Sequence, residues 1–122
     1  MAFIFEEEFI ISCLERTQVP KVYLLEAKSK DEQIIMRFDL PFKLQELMNF
    51  KEGEKLNVLI SNNEINDITD SDLYMNGIVL SKNKNEVFIS IGGLMLKFEG
   101  KNIENLSNLT ENEKLFIRIR KE

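Results

Sequence analysis

The chain has no histidine and a single cysteine, Cys13. Without histidine there is no Ser–His or Cys–His nucleophile pair, no imidazole general base and no His-ligated metal site. One cysteine forms no internal disulfide and holds no structural zinc, and its solitary use fits a reducing compartment. Cys13 itself is expected to be a small buried residue in a strand. Most of the usual catalytic toolkit is therefore missing, and neither a cofactor nor a metal is expected. No apolar run approaches the roughly 20 residues that a membrane-spanning helix needs. Cations are also in deficit: 16 Lys and Arg stand against 21 Asp and Glu, a net charge of −5. A protein that binds DNA or RNA through its own surface gathers cations against the phosphates, so direct nucleic-acid binding is not expected. The start, Met1-Ala2-Phe3-Ile4-Phe5-Glu6-Glu7-Glu8, places acids where a signal or mitochondrial leader places bases. The expectation is a protein that stays where it is made or enters the nucleus without a cleaved address.

What is present is a strand pattern. With 122 residues, 43% hydrophobic and 30% charged, the chain has the size and composition of one globular domain, residues 1–122. Its apolar residues recur mostly with period two, the mark of half-buried strands. Ile34, Met36, Phe38 and Leu40 alternate with Ile35, Arg37 and Asp39; Leu56, Val58 and Ile60, and later Leu115, Ile117 and Ile119, repeat the pattern. Adding stretches near 5–15, 22–28, 73–81, 86–91 and 94–99 gives eight strands. Residues 41–50 and 103–109 show helical spacing and are predicted to form short helical turns at the barrel ends.

The second half reads as a degenerate copy of the first, with halves at about 5–61 and 73–122. Without a gap, Phe9 to Leu14 meets Tyr74 to Val79, and Val22-Tyr23-Leu24 meets Val87-Phe88-Ile89. Shortened turns then set Ile34 to Asp39 against Leu94 to Glu99, and Leu56 against Leu115. Eight antiparallel strands laid flat would leave exposed edges, and closure removes them. The predicted fold is all-β: a closed eight-stranded antiparallel barrel of two OB-like halves. A two-sheet sandwich is the rival.

Few residues offer chemistry. Residues 62–72 hold Glu64, Asp67, Asp70 and Asp72 with no base. Asp72-Leu73-Tyr74-Met75-Asn76-Gly77 only partly echoes a calcium loop, so a solvated acidic loop is the expected reading. That loop is also the sole support for a small metal-dependent enzyme. Glu6, Glu7 and Glu8 point alternately to opposite strand faces and do not converge on a substrate; a solvated, charge-blunted edge is expected. Tyr23, Phe38, Tyr74, Phe88 and Phe98 invite comparison with base-stacking platforms, yet core packing explains most of them. Arg118, Arg120 and Lys121 form a small basic end, suited to an acidic partner or simply to a soluble strand face.

Three segments together carry a resemblance: Phe5-Glu6-Glu7-Glu8-Phe9, Asp72-Leu73-Tyr74-Met75-Asn76-Gly77, and Ser90-Ile91-Gly92-Gly93-Leu94-Met95-Leu96-Lys97-Phe98-Glu99-Gly100. The last leads on to Leu106-Ser107-Asn108-Leu109 and Leu115-Phe116-Ile117-Arg118-Ile119-Arg120. The chain resembles the small eighth subunit shared by nuclear DNA-dependent RNA polymerases I, II and III, nearly end to end. It departs at 62–72, where nuclear members usually carry a longer insertion. The resemblance implies a barrel of OB-like halves, a nuclear location and a non-catalytic subunit that docks on the largest polymerase subunit. Gly92 and Gly93 lack side chains that would hold a partner's backbone away, so partner contacts are expected at Tyr74, Gly92, Gly93, Leu94, Met95 and Lys97, although a glycine pair also makes a tight barrel corner. An independent OB-type module binding single-stranded nucleic acid is the alternative, and a clustered basic face would mark it.

Overall fold

The computed structural model describes residues 3–101, 103, 106 and 109–122, and the backbone alone of Phe3 and Ile4. Eight strands follow in chain order: β1 (Phe3–Arg16), β2 (Val22–Ser29), β3 (Ile34–Pro41), β4 (Lys55–Ser61), β5 (Leu73–Lys82), β6 (Glu86–Ile91), β7 (Leu94–Gly100) and β8 (Lys114–Lys121). One helix, α1 (Phe42–Met48), lies between β3 and β4. The hydrogen-bonded order β1-β2-β3-β7-β6-β5-β8-β4 closes on itself, and the paired strands are antiparallel. The chain is therefore an all-β closed barrel, and the sandwich is set aside. Among the described residues no helix is long and apolar enough to cross a membrane.

The period-two residues fill the interior. Ile34, Met36, Phe38 and Leu40 of β3 are buried while Ile35, Arg37 and Asp39 are partly exposed. Phe5 and Phe9 of β1 meet Phe98 of β7 with ring centroids 5.8 and 6.1 Å apart, a tilted aromatic cluster inside the barrel. Helix α1 starts where Pro41 fixes an extended φ of −60° and stops at Asn49, which takes a left-handed φ of 51°. The Gln45 side chain then bonds both backbone groups of Phe50, and the buried Met48 and Phe50 help to cover one barrel end. The second predicted helical segment, 103–109, falls largely outside the described residues; Ile103, Leu106 and Leu109 are buried.

Closure overturns one expectation and leaves another standing. β1 bonds β4 through residues 3–10 but β2 only through residues 9–16, so Glu6 and Glu7 have a paired strand on one side alone, in keeping with the expected edge. The Glu6 carboxylate accepts a hydrogen bond from the Asn57 amide at 3.0 Å. Cys13 is half-buried rather than buried. Partial desolvation, with Glu15, Glu52 and Glu26 nearby, pushes its thiol above the ordinary value, so it stays protonated at neutral pH.

Two stretches of the barrel share one local hydrogen-bond pattern, in a register other than the one the sequence suggests. Ile11 bonds Glu54 and Gly53 (Ile11 N–H to Glu54 C=O 2.9 Å, Gly53 N–H to Ile11 C=O 2.8 Å), and Val79 makes the same pair of bonds with Glu113 and Asn112 at 3.0 and 2.8 Å. A bulge follows each, between Ile11 and Cys13 and between Val79 and Ser81. Ile11 therefore matches Val79, and Ala27, its partner on β2, matches Ile89, the partner of Val79 on β6. The sequence pattern sets Leu14 against Val79 and Leu24 against Ile89, three residues away in each case. It holds further on: Met36 and Leu96 pair equivalently with Ala27 and Ile89, and Glu54 matches Glu113. A three-residue slip is odd, so it swaps the faces of a strand. Phe9 is buried while Tyr74, aligned with it in sequence, points outward.

Candidate partner-docking surface

The outside of the barrel divides into three zones of different chemistry. Across β2, β3, β7 and β6 runs a ladder of opposite charges. Arg37 bonds Glu26 at 3.1 Å and also Glu99, while Lys97 meets Glu86 at 3.1 Å and Glu99 at 3.5 Å. Cross-strand neighbours of opposite sign attract on a sheet face as helix neighbours do. The guanidinium of Arg37, helped by Lys97, holds the Glu99 carboxyl below its usual range. Lys97 also lies over the Phe88 ring, 5.3 Å from its centroid. This zone is satisfied by its own charges.

The second zone joins two sequence features that had been read separately. Residues 62–72 lie across the outer face of β8, and the acids there bind the basic end. Arg118 donates to the Asp67 carbonyl and carboxylate at 3.1 Å each and to the Asn57 side chain at 2.8 Å. Although its register points it outward, between the buried Ile117 and Ile119, Arg118 is only 4% exposed because the loop covers it. Arg120 grips Asp72 with two nitrogens, Nε to Oδ1 at 2.8 Å and Nη2 to Oδ2 at 2.7 Å. Oδ2 of Asp72 also accepts the Thr69 N–H at 2.9 Å. These bonds hold the Asp72 carboxyl below its usual range despite partial burial. Lys121 bonds the Met48 carbonyl at 2.8 Å and lies 3.4 Å from the Glu54 carboxylate. The acidic loop stays largely solvated, Glu64, Asp67 and Asp70 being exposed, but the basic end is not free: Arg118 and Arg120 are held by Asp67 and Asp72. Asp72 precedes a strand rather than a metal loop, and among the described residues no group of three or more acids and cysteines is placed to hold an ion.

The third zone is apolar. On β5 the outward residues Tyr74, Ile78 and Leu80 are exposed by 36, 43 and 49%. Phe116 of β8 stacks on Tyr74 at 6.3 Å with 16° between the rings, and the Tyr74 hydroxyl accepts the Ile65 N–H at 3.1 Å. Beside this stripe a shallow concavity of about 550 Å³ is lined by Asn76, Ile78, Ser90, Gly92, Lys114 and Phe116, among others. Gly92 and Gly93 form its rim as the two-residue turn between β6 and β7, where Ile91 pairs with Leu94. Their φ values of 60 and 93° are both positive, as a turn matching the twist of the flanking strands requires. A Cβ at either glycine would meet no atom within 4 Å, so glycine serves the backbone angle, and the space beyond is open.

The sequence-predicted residues are distributed accordingly. Gly92 and Gly93 are exposed; Leu94 and Met95 are half-buried beside them. Met95 is paired with Ser90 of the concavity, and its N–H reaches the Asp39 carboxylate at 3.1 Å. Tyr74 joins this surface through Phe116. Lys97 points outward too, but into the charge ladder. Sequence reasoning missed Ile78, Leu80 and Phe116, whose signal was an apolar residue at an outward strand position. Of the candidate stacking aromatics, Phe38 and Phe98 are core and Tyr23 packs on Phe42 at 4.4 Å. The paired cations leave no clustered basic face among Arg37, Lys97, Arg118, Arg120 and Lys121.

Comparison with known proteins adds one strong match. A family model for the RpbG subunit of DNA-directed RNA polymerase matches residues 4–122. No curated protein matches the sequence. Among solved structures, the cytoplasmic molybdate-binding protein ModG, with molybdate bound, superposes over 95% of this chain and 89% of its own at 11% identity and a TM-score of 0.38. A superposition that loose carries no argument about fold or ligand.

Proposed function

We propose that this chain, which belongs to the RpbG family of DNA-directed RNA polymerase subunits, is a non-catalytic structural and assembly subunit that docks on the largest subunit of the enzyme. The observation that carries the docking surface is the apolar zone: an uncharged turn at Gly92-Gly93 beside Ile78, Phe116 and Tyr74, next to two zones in which Arg37, Lys97, Arg118 and Arg120 are paired within the chain. Apolar surface of this kind on an otherwise charged exterior suits burial against another protein. In this reading Tyr74, Gly92, Gly93, Leu94 and Met95 make contact and Lys97 lies at the margin. The resemblance to the shared nuclear subunit supports a further step, in which one barrel serves polymerases I, II and III in the nucleus. The same reading takes residues 1–122 as one domain with halves at 5–61 and 73–122, supported by the repeated bulge and its flanking hydrogen bonds.

The test is incorporation. Gly93 has a φ that strains any side chain, so Gly92 is the better position. Gly92→Asn keeps the turn, since asparagine tolerates a left-handed φ, and should incorporate normally. Gly92→Glu should leave the isolated barrel folded and reduce recovery of the chain with tagged polymerase by at least about tenfold, a loss of roughly 1.4 kcal/mol. Equal recovery of both variants would sink the docking surface. Recovery of the wild-type chain with large subunits of several polymerases would support sharing; a single enzyme would confine it to that one, and a lone 14.3 kDa species would end the polymerase reading.

A further inference from the structure

A second recess lies at the end of the barrel beside helix α1. It is about 850 Å³ in volume, and its apolar lining includes Leu44, Leu47 and Tyr74. Leu47 is 81% exposed, the most open large hydrophobic among the described residues. The polar side of the recess comes from residues 69–72 and the end of β8. Its two cations are both engaged inside the chain: Arg120 by Asp72 and Asp67, and Lys121 by Glu54 and the carbonyls of Met48 and Asn49. Asp72 is engaged by the same arginine. Among the described lining residues one charge has no such partner, the exposed carboxylate of Asp70.

We propose that this recess binds a short peptide segment of a partner protein in which apolar side chains are flanked by lysine or arginine. The apolar part covers Leu47, Leu44 and the Tyr74 ring, and the base pairs with Asp70. An acidic segment finds no free cation there and meets Asp70 with like charge, so it is rejected electrostatically. A second copy of the chain is a poor occupant, because at net charge −5 it brings a surplus of the same sign. This surface meets the Gly92-Gly93 zone only at Tyr74; Leu44, Leu47 and Asp70 lie outside that zone, and the recess stands whether or not the chain docks on the largest polymerase subunit.

The experiment uses the isolated full chain, labelled with ¹⁵N and observed by amide NMR at low salt. It is titrated with the peptide Lys-Leu-Leu-Lys-Leu-Leu-Lys and with its counterpart in which Glu replaces each Lys. Shifts are expected at residues 44–49 and 69–74, with the basic peptide binding about tenfold more tightly. Asp70→Asn should remove most of that preference. Leu47→Ser should weaken the basic peptide about fivefold while leaving the melting temperature unchanged, since the side chain is nearly free of contacts. Equal affinity for the two peptides, shifts centred elsewhere, or movement of the 44–49 amides with protein concentration alone would each overturn the proposal.

Discussion

Replacing Asp72 by asparagine isolates the bond that pins the acidic loop to β8. The substitution keeps the volume and removes the charge. One oxygen that accepted from Arg120 or Thr69 becomes an amide that donates instead. The Asp72 side chain is 1% exposed while Arg120 is 30% exposed. Breaking a buried pair costs about 3–5 kcal/mol. The water that reaches Arg120, and its remaining bond to the Asp67 carbonyl, bring that to about 2–3 kcal/mol. Unfolding entropy of about 2.1 cal/mol/K per residue gives ~0.26 kcal/mol/K for the chain, so Tm should fall by about 8–12 °C at pH 7. The pH dependence follows from the hydrogen bonds of Arg120, which put the folded Asp72 carboxyl below its ordinary 3.8. A carboxyl depressed on folding stabilises above its unfolded pKa and loses that contribution as pH falls through the folded value. The difference between wild type and Asp72→Asn should therefore be full above the ordinary 3.8 and shrink as pH falls below it through the folded value. Scanning calorimetry over that range decides the matter. A Tm difference under about 2 °C at pH 7, or one that grows as pH falls below 3.8, would refute the reasoning.

Other outcomes are expected. Gly100→Ala should destabilise by about 3 kcal/mol or more, because its Cβ would lie 2.0 Å from the Gln33 carbonyl oxygen at a φ of 156°; urea unfolding measures it. Cys13, with its raised pKa, should react with iodoacetamide at pH 7.5 more slowly than a free thiol, and equal rates would contradict its environment. Gly92→Asn and Gly92→Glu should separate fold from docking in tagged polymerase preparations, the first recovered with the enzyme and the second lost from it.

The barrel was legible because strand alternation and short polar turns are local. Ile34 to Leu40 declares its buried face without reference to any other strand, and eight such segments in a small chain favour closure. The repeat register was not. Phe9 and Tyr74 look alike as letters, yet one faces in and the other out, and only the hydrogen bonds of Ile11 and Val79 show the slip. The pairing of Asp67 and Asp72 with Arg118 and Arg120 spans about fifty positions, beyond the reach of any pattern, so the acidic loop and the basic end were read as two free surfaces. The glycine turn was legible, but the apolar surface beside it was not: alternation with Leu115, Ile117 and Ile119 turns Phe116 outward, yet only the β5–β8 pairing brings it beside Tyr74 and Ile78.

The position of β8 in the sheet has a consequence for biogenesis. It is the last strand in chain order, yet it lies between β5 and β4, with Leu56 opposite Lys121. On the ribosome, the earlier strands wait with two open ladders until β8 emerges, and contacts this distant in sequence close slowly. A chain stalled before Lys114 presents unpaired edges of β4 and β5 to any neighbour, so the last strand to emerge is also the one that removes the barrel's open edges.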